Sequence, residues 1–290
     1  MVRAAAGALP IIPRGDRLPE QVHRIGALPI DRSNVAAYAA VTGLRYADTV
    51  PLTYPFVLTF PTVMSVLTGF DFPFPAMGAV HVENVITAHR PIAVTDTVGV
   101  AVRAENLREH RKGLLADLVT EVSVGNDLAW HQVSTFLHQQ RTSLSGEPKP
   151  EPPKQPKLPP PNSVLRISPA QIRRYAAVGG DRNPIHISTV GAKLFGFPTV
   201  IAHGMFSAAA VLANIEGHLP DRVRYAVKFG KPVLLPATAG VYVERTGPGP
   251  DTGWDIALRN RDIDLRNWDI ALRNMSKGYP HLTATVRALP

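Results

Sequence analysis

The reading of the fold turns on residues 175–206, YAAVGGDRNPIHISTVGAKLFGFPTVIAHGMF. The stretch enters as the end of a helix, stops at Gly179-Gly180 and turns through Asp181-Arg182-Asn183-Pro184. Pro184 biases Asn183 towards extended backbone, so the helix cannot run through it. Ser188 can cap a short helix that ends at Gly196. From residue 205 to 216 the chain is apolar on every side except Ser207 and Asn214, and Gly217 follows. A helix without a polar face is buried. Its natural cover is the alternating run VRYAVKF at residues 223–229, a half-buried strand by its period. Residues 240–244 and 282–289 read as further strands.

Outward from this stretch the chain repeats itself. Ser168-Pro169-Ala170-Gln171 reads as a capping box with proline at the first helical position, and the helix runs to about Val178. Tyr38-Ala39-Ala40-Val41-Thr42-Gly43 matches Tyr175-Ala176-Ala177-Val178-Gly179-Gly180 at an offset of 137. The strand before Arg90-Pro91-Ile92 resembles the strand before Lys231-Pro232-Val233 at an offset of 141. Landmarks in the same order argue for a duplicated domain; chance matching of alanine-rich helices is the alternative. In the first half, Asp31 can cap a helix over residues 34–41 that Gly43 ends. A short apolar helix is expected over residues 62–67, and strands over 82–86, 98–104, 114–124 and 128–137. Residues 1–25 show no period. Between the halves, residues 145–162, SGEPKPEPPKQPKLPPPN, hold eight prolines from Pro148 to Pro161. Such a segment favours extended polyproline and reaches roughly 43 Å at about 3.1 Å per residue. The division is therefore an N-terminal half, 1–144, a linker, 145–162, and a C-terminal half, 163–290. The fold class is α+β, with a buried helix wrapped by an antiparallel sheet, twice over. Trp254 to Asn260 recurs unchanged at Trp268 to Asn274. One copy can serve as a strand; the other has no assigned role.

Composition narrows the chemistry. The 290 residues are 45% hydrophobic and suffice for about two cores. There is no cysteine, which excludes disulfides, thiolate nucleophiles and cysteine-held zinc, and points to a reducing, cytoplasmic setting. No apolar run is long enough to span a membrane. MVRAAAGALPII imitates a signal peptide, but Pro10 interrupts it and Arg14, Asp16 and Arg17 follow, so no cleaved leader is expected. The net charge of +8 favours anionic partners. No basic run or nucleic-acid motif accompanies it, so nucleic acid is not expected.

The candidate chemistry lies at Asp181 and His186. The turn can aim both into one cavity, where histidine is suited to proton transfer near neutral pH and a carboxylate can hold the same water. Asn183 can fix the turn. Gly204 stands at the start of the buried helix, where unpaired N–H groups carry the positive end of the dipole and a carbonyl can approach closely. Its N–H suits the oxyanion of an enolate. Each residue has a plainer reading. Asp181 and Asn183 can form an Asx turn alone, His186 can be a core histidine, and His203 is read as structural. The spacing of Asp181, His186 and His203 matches no metal-ligand pattern, so no metal is expected.

YAAVGGDRNPIH at 175–186, then Gly196, then Ala202-His203-Gly204-Met205, resembles the MaoC-like dehydratases and (R)-specific enoyl-CoA hydratases. The chain as a whole resembles the two-domain 3-hydroxyacyl-thioester dehydratases of mycobacteria. The resemblance implies a double hotdog fold. It implies hydration of trans-2-enoyl thioesters, or the reverse dehydration, on coenzyme A or an acyl carrier protein, with no metal or redox cofactor. Asp181 and His186 would be the catalytic pair, Gly204 the oxyanion donor and Asn183 the turn support. A serine found in some relatives eight residues after that glycine is Leu212 here. At the offset of 137, Leu44 stands for Asp181 and Thr49 for His186, so the first half is expected to shape the acyl site without catalysis. Arg173, Arg174, Lys193, Lys228 and Lys231 are candidate phosphate contacts. A hotdog thioesterase and a non-catalytic acyl-thioester-binding protein are the alternatives. The chain is a pseudo-dimer, and further pairing of two chains is left open.

Overall fold

The computed structural model describes residues 14–148, 159–246 and 267–290. The first half runs β1 (His23–Pro29), α1 (Arg32–Thr42), α2 (Tyr54–Leu67), β2 (Ala79–Ala88), β3 (Thr97–His110), β4 (Gly113–Val124) and β5 (Asp127–Gln139). The second runs β6 (Ser163–Ile167), α3 (Pro169–Gly179), α4 (Pro184–Ile187), α5 (Thr189–Leu194), α6 (Gly204–Leu212), β7 (Val223–Phe229), β8 (Ala237–Thr246), β9 (Asn267–Asn274) and β10 (Pro280–Ala288). The strands form one sheet in the order β1-β3-β4-β5-β2-β7-β10-β9-β8-β6. Exchanging the halves reproduces this order from its other end. Its centre is the antiparallel pair β2 and β7, in register from Glu83↔Lys228 to Ala88↔Val223. The apolar helices α2 and α6 pack within it, giving the double hotdog; Phe206, Ala208, Ala209 and Val211 of α6 are wholly buried.

Helix ends follow their local chemistry. The Asp31 carboxylate accepts from the Ser33 and Asn34 N–H groups, and Gly43 closes α1 in the left-handed region at φ 83°. Ser168 Oγ accepts from Gln171 N at 3.1 Å, but the Gln171 side chain does not return to close the box. It crosses to α1 and donates to the Val41 carbonyl at 2.9 Å. Asn34, 137 positions earlier, makes the reciprocal contact to the Val178 carbonyl at 3.1 Å. Each half thus caps the C-terminal carbonyls of the other's helix. Tyr38 and Tyr175, also 137 apart, face each other with ring centroids 6.1 Å apart.

Three differences from the sequence reading have physical causes. α2 begins at Tyr54, not near residue 62, and runs through Pro61. Pro61 loses one helical hydrogen bond, yet Phe56, Val57, Val63, Val66 and Leu67 are buried around it, and tertiary packing outweighs that loss. α6 ends at Leu212 rather than 216, where the Asn214 side chain takes the Val211 carbonyl and accepts from Ser163. β1 and β6 are edge strands whose residues, HRIGALP and SVLRI, do not alternate polar with apolar, which hid them. The second copy of the repeat, Trp268 to Asn274, lies in β9. The first copy, the N-terminal residues 1–13 and linker residues 149–158 lie outside the described residues. Among the described residues no helix is long and apolar enough to cross a membrane.

Candidate active site

α3 ends on Gly180 at φ 74°, and the chain turns at once. Asp181 Oδ1 accepts from Asn183 N at 3.2 Å. Asn183 caps α4 by accepting from Ile185 N at 3.3 Å. The Asx chemistry read from the sequence is therefore present, and it aims the two titratable groups together. His186 Nδ1 lies 2.9 Å from the Ile201 carbonyl, which makes Nδ1–H the donor. Its Nε2 is left facing Asp181, 4.0 Å from Oδ2. That gap is too long for a direct hydrogen bond and suits an intervening water.

His203, read from sequence as a packing residue, belongs to the same cluster. Its Nε2–H donates to the Asp181 backbone carbonyl at 3.0 Å and lies 3.7 Å from Oδ2. Its ring stacks on His186 at 3.7 Å between centroids and packs on Tyr175 at 5.0 Å. The signal was its place directly before the helix-opening glycine. Burial holds His186 below the ordinary histidine range, opposed by the Asp181 carboxylate and the bond to Ile201. Burial, then the neighbouring His186, pushes His203 well below that range. Both imidazoles are therefore neutral near pH 7. The Tyr175 hydroxyl is buried without a partner.

One atom from each of Asp181, His186 and His203 lies within 4.8 Å of the others, close enough to consider a cation. The donor set argues against one: His203 commits Nε2–H to a carbonyl, and its ring lies flat against His186 rather than converging with it. Gly204 opens α6, where the first N–H groups lack intrahelical acceptors. A Cβ there would lie 3.0 Å from the Phe229 ring, so glycine lets the ring close over the helix start. Phe229 read from sequence only as a strand residue. The five candidate cations do not join the cluster. Lys228 pairs with Glu83 at 3.4 Å, Lys231 sits 4.4 Å over the Tyr279 ring, and Arg173, Arg174 and Lys193 are exposed.

The first half departs from the second here, and in a different way from the constant offset. Ile201 bridges Leu234, flanked by Ala202 N donating to Val233 O and Leu235 N to Val200 O. Thr49 bridges Ala93 between Val50 N donating to Ile92 O and Val94 N to Asp48 O. Backbone pairing thus matches Thr49 to Ile201, not to His186. From its left-handed glycine to this bridge the second half takes 21 positions and the first takes 6. Among the described residues the first half has no counterpart of α4 and α5. Leu44 keeps its equivalence to Asp181, since each follows that glycine.

The MaoC like domain profile matches residues 149–256, within which this site lies. The chain is 71% identical to 3-hydroxyacyl-thioester dehydratase X of Mycobacterium tuberculosis over 289 residues, covering 100% of this chain and 97% of that protein. The crystal structure of HtdX from M. tuberculosis superposes with a TM-score of 0.78, covering 92% of this chain and 99% of that one. The (R)-specific enoyl-CoA hydratase of Rhodospirillum rubrum is 35% identical over 89 residues, 29% of this chain and 62% of that protein. The chain belongs to the MaoC-like dehydratase family.

Proposed function

We propose that this protein hydrates trans-2-enoyl thioesters to (R)-3-hydroxyacyl thioesters, and dehydrates them in reverse, in fatty-acid metabolism. The single observation that carries the reading is the placement of His186, its Nδ1 held by the Ile201 carbonyl and its Nε2 turned towards the Asp181 carboxylate across 4.0 Å. A water in that gap gives its proton to one of the pair while the other orients it. Its oxygen adds to C3, and the pair returns a proton to C2, so that H and OH are added across the double bond. The enolate oxygen formed on the way is placed at Gly204 N–H, where a preorganised donor contributes about 3–4 kcal/mol. The 3-hydroxyacyl-thioester dehydratase at 71% identity and the enoyl-CoA hydratase relative support this chemistry. It requires no metal or redox cofactor. The carrier is coenzyme A or an acyl carrier protein, with Arg173, Arg174 and Lys193 the more available cations for its phosphates. The C-terminal half, 163–290, supplies the catalysis and the N-terminal half, 1–144, shapes the acyl site.

Loss of the conjugated double bond of crotonyl-CoA, followed by absorbance, tests the reading. Wild type bleaches it without releasing free thiol. Asp181→Asn and His186→Ala each lose about 10²–10⁴-fold in rate with melting temperature kept, while Thr49→Ala turns over normally. Retained turnover in either of the first two variants sinks the assignment.

A further inference from the structure

The first half keeps a cavity where the second half keeps its catalytic cluster. It measures about 500 Å³, within the range of small-molecule sites, about 300–1,000 Å³. Its walls come from the short Gly43–Thr49 loop and the segment after it, from Trp130 on β5, and from Leu212 at the far end of α6. The loop is short because it holds no counterpart of α4 and α5. The lining suits an amphiphile. Leu44, Val50, Leu52, Ile92 and Leu212 are apolar, and the charged lining is Arg45 and Arg90 with Glu216 and Asp221. Arg45 is held by Glu216, to which its backbone N–H donates. Arg90 is not so held: its Nε is buried without a partner, and Nη1 reaches only the Pro91 carbonyl at 3.4 Å. Lys231, 141 positions on, is the counterpart of Arg90 beside the catalytic half.

We propose that this cavity is a second acyl-thioester site that binds without turnover, with the acyl chain among the leucines and Arg90 on the polar carrier end. The choice of ligand rests on the proposed function, because the pseudo-two-fold relation gives the cavity the catalytic site's place in the fold. Leu44 in place of Asp181 and the missing His186 segment leave it without a counterpart of the carboxylate–imidazole pair, and of its own two carboxylates Glu216 is taken up by Arg45.

Hexanoyl-CoA has neither a double bond nor a 3-hydroxyl, so it reports binding alone. Equilibrium dialysis is expected to find two molecules per chain of the wild type. Thr49→Trp, at the exposed rim, and Arg90→Gln are each expected to leave one, with crotonyl-CoA hydration within twofold of wild type. One molecule per wild-type chain overturns the proposal, as does a count of two in both variants. Hexanoate and free coenzyme A are dialysed separately; a second site filled by hexanoate alone overturns the thioester assignment. Two bound hexanoyl-CoA molecules without any hydration of crotonyl-CoA would remove the catalytic reading and leave this site standing.

Discussion

At the residue scale, the histidines set how the protein responds to acid. His186 titrates below the ordinary value of about 6.5, because burial outweighs its carboxylate neighbour. A step that needs its neutral ring therefore persists through that value, and the acid limb of kcat/KM against pH is expected below 6.5. A limb at or above 6.5 would contradict the geometry. His81 on β2 gives the matching prediction for stability. It stacks on Phe136 at 4.8 Å and meets Phe229 at 5.0 Å, and this burial brings it down to about 4, against a bond to the Glu83 backbone. The unfolded chain takes up this proton near pH 6.5 and the folded chain near 4, so the unfolded state binds more protons in between. Stability is accordingly lost as pH falls from about 6.5 to about 4. Thermal melts at pH 7 and pH 5 are expected to show a drop for wild type and a smaller drop for His81→Phe. An equal drop would assign the effect to other groups.

At the element scale, the turn that carries Asp181 and His186 is held by how closely α4 and α5 pack. A Cβ on Gly191 would lie 2.5 Å from Pro184 Cβ and 3.0 Å from its carbonyl oxygen. Pro184 is two residues from His186, so a larger side chain in α5 displaces α4 and the imidazole with it. Overpacking of this kind costs about 1–3 kcal/mol, while a displacement near 1 Å costs catalysis about 100-fold. Gly191→Ala is expected to lower kcat by about 10–100-fold and the melting temperature by only a few degrees. Steady-state kinetics beside calorimetry checks this; normal kcat would show that α4 is positioned by its other contacts, such as Ile201 N to the Ile185 carbonyl. The sequence made much of this segment legible, because Asx turns, proline and helix-capping residues act within a few positions. It did not reveal where α2 begins, since whether Pro61 interrupts a helix depends on what packs around it.

At the scale of the whole molecule, the two halves hold each other through β2 against β7 and through the exchanged caps of Asn34 and Gln171. Replacing either by leucine leaves a helix carbonyl unpaired at the seam. Each substitution is expected to cost about 1–3 kcal/mol, read as a lower urea midpoint with unchanged slope. Unchanged midpoints in both would mean that the strand pairing alone joins the halves. The amino-acid sequence by itself determined the duplication, the buried helix α6 and the turn that brings Asp181 and His186 together, because these rest on period, turn chemistry and local spacing. It misaligned Thr49 with His186, since a constant offset cannot register a missing excursion. Only the tertiary structure decided the register of the two halves, the place of His203 beside His186, and the closure of Phe229 over Gly204. Those depend on contacts between segments distant in the chain, where backbone hydrogen bonds and packing, not local preference, set which atoms meet.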